Sequence, residues 1–223
     1  MLYNDRDDLS DAEGGPWPAF VDLLAASTML FLVLFAVIAV PALLRAKQGE
    51  QTRNTMSQID KRLRDDGFHV RDLGDYLLVT IGSDATFGYD KFYVNDMKPD
   101  GRAILRQLAA SLEKGALLDS IDQVQVVGHT SSEGVDEHNW RLSSQRAATV
   151  ALFLIDSTKL PPCKITALGR GRLYPIDPQL ARRTTKPNPA DRRIEIEIHP
   201  VVLDNSEQEI HRKNCVAEPG KGT

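Results

Sequence analysis

Cysteine is scarce: the 223 residues contain two, Cys163 and Cys215. Neither has a C-x-x-C partner or a histidine close by in sequence, which argues against a zinc site or a thioredoxin-like motif. Two readings stay open at this level, unpaired thiols or one disulfide in a domain outside the cytoplasm. Basic charge is not in excess either. Lys and Arg number 27 against 31 Asp and Glu, a net charge of -4 with no basic stripe, so the footprint of a nucleic-acid binder is missing. No nucleophile with a base and no paired carboxylates stand at recognisable spacing, and no enzyme, metal or cofactor is expected.

What the chain does have is one block of apolar residues. Residues 1–15 are acidic and short of large apolar side chains, and are read as a flexible tail. From 19 to 44 the only ionisable residue is Asp22, and the stretch from Met29 to Val40 is continuously apolar. At ~1.5 Å per residue such a run crosses a ~30 Å hydrocarbon layer. Trp17 serves as interfacial anchor, with Arg45 and Lys47 at the far end. A cleavable signal would start with basic residues and end in a small-residue site; here the lead is acidic and Pro41-Ala42-Leu43-Leu44 follows. Residues 16–46 are therefore expected to form a single transmembrane helix.

An ionisable group in a span costs on the order of 2.5 to 3.5 kcal/mol and is usually functional. Asp22 sits among Phe20, Val21, Leu23 and Leu24, where a carboxylate can take up and release a proton as a relay requires. Ala26, Met29 and Val33 continue its face, and Ala25, Ala26 and Ser27 permit close helix approach. One helix cannot form an ion path alone, so a multi-span partner is implied. The basic residues flanking the span are Arg6 on one side and Arg45, Lys47 and Arg53 on the other. By that count the C-terminal part would stay in the cytoplasm.

Residues 47–66 read as a helical linker with Met56, Ile59 and Leu63 at helical spacing. In 67–203, a hairpin is expected around Gly74-Asp75, helices at 98–114 and 141–157, and strands at 123–128, 164–168 and 192–199. Strands alternating with helices give an α/β (α+β) sandwich with helices on one face of the sheet. Residues 204–223 are a tail.

Trp17 followed by Asp22-Leu23 and a long apolar run resembles the start of MotB-type stator subunits, in which the aspartate binds the proton. Val127-Gly128-His129-Thr130, Gly134, Asn139, Leu142-Ser143, Arg146-Ala147, Val150, Gly169-Arg170-Gly171 and the stretch from Asn188 to Glu195 resemble the OmpA-like, peptidoglycan-binding domain. This resemblance implies a ligand, the diaminopimelate region of peptidoglycan. Arg146 would offer its carboxylate a bidentate fork, with Asn139, Leu142 and His138 alongside. After the Gly-His-Thr, Ser131 stands where the family usually has an ammonium-binding Asp, with Glu133 two residues away. The resemblance also implies a periplasmic domain on a single-pass inner-membrane protein with a cytoplasmic N-terminus, against the Lys and Arg count. It likewise implies a Cys163 to Cys215 disulfide that staples the tail. The acidic tail and short linker are most similar to the ZorB subunit of Zorya anti-phage systems. What that implies is a homodimer assembled with a pentameric ZorA-like or MotA-like partner that passes protons or sodium ions. Flagellar stators and passive single-span wall anchors are the other readings.

Overall fold

The computed structural model describes residues 17–183, 186–201 and 215. The two expected tails lie outside the described residues, Cys215 excepted. The chain divides into two units, 1–47 and 48–223, and each is described by itself.

In the first unit, helix α1 (Trp17–Asp65) begins at Trp17. Among the described residues it is the only helix long and apolar enough to cross a membrane, with a mean hydropathy of 2.7 over its most apolar window. None of that window is buried among the described residues, and Phe20, Val21, Leu23 and Leu24 beside Asp22 are exposed. Ser27 and Thr28 donate their hydroxyls to the carbonyls of Leu24 and Ala25, both at 2.9 Å. The helix thereby satisfies its own polar groups and leaves Asp22 as the one ionisable group in this stretch.

The second unit opens with the last turns of α1. Met56, Ile59 and Leu63 are fully buried there, at 4%, 0% and 0% exposure. The stretch expected as a linker is helical, but its C-terminal half is part of the core, because those three side chains project from one face onto apolar neighbours. Strands β1 (Val70–Asp72) and β2 (Leu77–Gly82) form the expected antiparallel hairpin. Gly74 takes the left-handed conformation its turn needs, φ +90°, and donates its N–H to Asp72 Oδ1 at 2.8 Å. A single-turn helix α2 (Ser83–Thr86) and helix α3 (Pro99–Glu113) follow. Then come β3 (Ile121–Gly128), α4 (Asp136–Ser157), β4 (Ile165–Gly169), α5 (Pro178–Arg183) and β5 (Arg193–Pro200). Helix α4 starts before residue 141, where the apolar periodicity begins, and Asp136 and Glu137 in its first turn suit the positive end of the helix dipole.

The sheet is mixed, in the order β1-β2-β5-β3-β4, with β3 and β4 parallel and the other neighbours antiparallel. Ile194, Ile196 and Ile198 of β5 join Val79, Val124 and Val126 in the core with Leu105, Leu108 and Leu112 of α3 and Ala147, Val150 and Leu154 of α4. Alternation along β5 would turn Glu195 and Glu197 to water, yet they are only 6% and 5% exposed. Long cationic and aromatic side chains cover them. Glu195 accepts from Arg193 Nε at 2.8 Å and lies 2.9 Å from His129 Nε2. Glu197 lies 3.6 Å from both Arg170 Nη2 and His199 Nε2.

Burial alone would push the Glu195 carboxyl up, but the hydrogen bonds from His129 and Arg193 outweigh it and hold the group down at about 2. A carboxyl depressed in the folded state stabilises the fold above its unfolded pKa and ceases to as pH falls through its folded value. We expect a contribution on the order of 3 kcal/mol, complete near neutrality and fading from about pH 4.5 towards 2. Urea denaturation across that window should show Glu195→Gln with a flatter acid limb than the parent; an identical slope would contradict the assignment.

Candidate functional site

The position of α4 is set by two glycines. Gly128 and Gly169 are paired at the ends of β3 and β4, and a Cβ on Gly128 would overlap the Ser143 carbonyl, while one on Gly169 would overlap Ser144. With neither side chain present, α4 lies directly on the strand ends. Ser143 Oγ accepts the Gly171 N–H at 3.0 Å, and the Gly171 carbonyl accepts the Thr130 N–H at 2.9 Å. The segment after β3, which carries Thr130 and Ser131, is thus tied to the helix that carries His138, Asn139, Leu142 and Arg146.

These residues line one cleft of about 510 Å³, together with Asp84, Phe87, Asp90, Lys98, Glu133 and Arg192. Arg146 is 3% exposed. Its Nε donates to the Lys91 carbonyl, Nη1 to Ser83 Oγ and Nη2 to the Gly88 carbonyl, each at 2.9 Å. Its guanidinium stands 5.5 Å from the Phe87 ring centroid. Burial pushes its pKa down, opposed by Asp84 and Asp90. Three of five N–H groups are thereby committed, which leaves one on each terminal nitrogen for a ligand. The arginine expected to grip a ligand therefore also clamps the 88–91 backbone onto α4.

Asn139 is buried and donates from Nδ2 to the Glu133 carbonyl at 2.6 Å, which shapes the loop before α4. Ser131 is buried, its Oγ 3.5 Å from Arg192 Nη1. Glu133, expected as a stand-in for the missing charge at 131, has its carboxylate 3.8 Å from Arg192. His138 Nε2 lies 2.9 Å from Asp90 Oδ1, and Asp90 is the one described non-glycine residue with positive φ, 54°. Leu142 supplies an apolar wall.

Residues given no role from sequence complete the site. Arg192 donates to Asp84 from Nε at 3.1 and 3.2 Å and from Nη2 at 2.9 Å. The hydrogen bond to Asp84 raises its pKa above the ordinary arginine value. Thr130 Oγ1 is buried in the cleft wall without a hydrogen-bond partner among the described residues. Arg192 stood inside the recognised stretch from Asn188 to Glu195, whereas Asp84 and Asp90 fall in a segment with no periodicity to mark it. With Arg146 and Arg192 facing Asp84, Asp90 and Glu133, the cleft suits a small zwitterion carrying both a carboxylate and an ammonium group.

Away from the cleft, Cys163 and Cys215 are joined by a disulfide, their Cα atoms 5.7 Å apart, within the usual range. Asp22 lies in the other unit.

Residues 86–188 match the OmpA family, a span that begins after Asp84 and ends before Arg192. Outer membrane protein A of Bordetella avium is 34% identical over 120 residues, 54% of this chain and 56% of that protein. Its counterpart in Shimwellia blattae is 36% identical over 126 residues, 53% of this chain and 49% of that protein. The chain thus spans about half the length of the curated relatives it matches. Among solved structures, a MotB-like protein from Desulfovibrio vulgaris superposes with a TM-score of 0.56 at 17% identity, covering 71% of this chain and 99% of that one. The chain carries an OmpA-like α/β domain with a mixed sheet, behind an apolar helix long enough to span a membrane. Over residues 86–188 it is similar to the OmpA family, and in fold it is similar to a MotB-like protein.

Because α4 rests on Gly128, Gly128→Ala is expected to cost about 1 to 3 kcal/mol through overpacking. Gly49→Ala, which meets nothing within 4 Å inside a helix, should be neutral or slightly stabilising. Thermal denaturation of the two variants side by side checks this, and equal melting temperatures would refute the packing argument.

Proposed function

We propose that this chain is a wall-anchored, single-span subunit of an ion-driven membrane motor. The observation that carries the reading is the cleft, which buried Arg146 lines together with Arg192, Asp84, Asp90 and Glu133. That is the charge pattern which the free amino-acid end of diaminopimelate in peptidoglycan would meet. His138, Asn139, Leu142 and Ser131 line the same cleft. On this reading the domain is periplasmic, where a Cys163 to Cys215 bond is at home, and α1 crosses the inner membrane with its N-terminus in the cytoplasm. Asp22 is the ion-carrying carboxylate, for protons in preference to sodium because it stands alone among apolar neighbours. A second copy of the chain and a pentameric multi-span subunit, ZorA-like or MotA-like, complete the path. One elementary charge moving through 100 mV supplies ~2.3 kcal/mol.

The kind of motor we favour is the ZorB-like one of Zorya anti-phage defence. Support comes from the acidic N-terminal segment and from the short stretch of chain between Lys47 and the first core side chain, Met56. A flagellar stator of the MotB type shares the other features.

Asp22→Asn keeps the size and removes titration. It should abolish phage protection or motility, whichever the host shows, while the protein stays membrane-bound and is still retained by peptidoglycan. Survival of that activity in the variant would leave a passive wall anchor as the better description.

Arg146→Ala should lose retention on purified peptidoglycan sacculi, and Arg146→Lys, which keeps the charge without the fork, should keep only part of it. Circular dichroism separates lost binding from lost fold, and undiminished retention of a folded Arg146→Ala protein would remove the anchor assignment.

A further inference from the structure

Beside the main cleft lies a second hollow of about 190 Å³, lined by Asp90, Phe92, His138, Arg141, Leu142 and Gln145. Three of these, Asp90, His138 and Leu142, line the main cleft as well, so the two hollows adjoin. The geometry of α4 explains the arrangement. Asn139, Leu142 and Arg146 form one stripe, and His138, Arg141 and Gln145 form the next, with Leu142 between them. The 2.9 Å bridge from His138 to Asp90 stands at the junction.

The opposite wall is held in place. Thr149 donates from Oγ1 to the Phe92 carbonyl at 2.5 Å, and Arg146 holds the Lys91 carbonyl at 2.9 Å. The Phe92 ring packs against Tyr93 with centroids 4.3 Å apart. The only carboxylate lining the small hollow is Asp90, which is engaged by His138. Arg141 has no ion pair or hydrogen bond to a side chain among the described residues. The hollow therefore presents an uncommitted guanidinium and a Gln145 amide to whatever extends out of the main cleft.

We infer that this hollow is a second subsite, in which Arg141 binds a carboxylate on the residue adjoining the one held in the main cleft. The inference rests on the peptidoglycan reading and deepens it. In a stem peptide the residue before diaminopimelate is a γ-linked glutamate, whose α-carboxylate is free. Arg141 then discriminates a peptide from an isolated amino acid, since only the peptide reaches past the His138 to Asp90 bridge.

Calorimetric titration of the full-length chain in detergent tests this with two probes, meso-diaminopimelic acid and N-acetylmuramyl-L-alanyl-γ-D-glutamyl-meso-diaminopimelate. Arg141 is exposed, so Arg141→Gln should fold normally. It should weaken the muramyl tripeptide about tenfold, the loss of one charge-assisted contact, and leave diaminopimelic acid within about twofold of the parent. Arg141→Lys should recover part of the tripeptide affinity. Unchanged tripeptide binding by Arg141→Gln, or an equal loss for both probes, overturns the second subsite and leaves the main cleft standing. A parent protein that binds neither probe overturns the peptidoglycan reading itself.

Discussion

The cleft exists because α4 touches the ends of β3 and β4 with nothing between. Gly128 and Gly169 face each other across the parallel pair, and any Cβ there would push against the backbone of α4 at Ser143 and Ser144. Removing that thickness brings the helix down far enough for Ser143 to catch Gly171, and for Gly171 to catch Thr130. One close approach thus sets the distance between the helical residues of the site and the loop that carries Ser131. The Arg146 clamp then closes the third side by drawing the 88–91 segment against the helix.

Burying two guanidinium groups and two glutamates in one small domain is costly unless each is paired. Arg146 meets that condition with two backbone carbonyls and a serine hydroxyl, which are neutral acceptors. Its hydrogen bonds thus go to neutral groups, while the carboxylates of Asp84 and Asp90 act on its charge through space. Glu195 is handled differently, with Arg193 and His129 as charged or chargeable partners. The first arrangement ties the 88–91 segment to α4; the second ties β5 to the segment that follows β3. Both satisfy the same desolvation constraint, with different partners.

On the proposed reading, α1 joins the two tasks of the molecule. Its apolar stretch carries Asp22, and its last turns place Met56, Ile59 and Leu63 in the core of the OmpA-like domain.

Local pattern alone determined a good deal. The apolar run around Asp22, the hairpin at Gly74, the amphipathic faces of α3 and α4, and the core alternation of β5 all follow from spacings of 2.0 or 3.6 residues. Asn139, Leu142 and Arg146 were singled out by the resemblance to the OmpA-like domain, and helical spacing adds only that they share a face of α4. What packing decided was partnership. Glu195 and Glu197 look like an outward strand face and are buried, because Arg170, Arg193 and the histidines fold over them. Asp84 and Arg192 meet across 108 residues, Cys163 and Cys215 across 52, and the linker became core only where the sheet and helices closed on it. Periodicity reports which way a side chain faces on its own element, whereas charge pairs, clefts and clamps depend on which elements are brought together, and no local spacing encodes that.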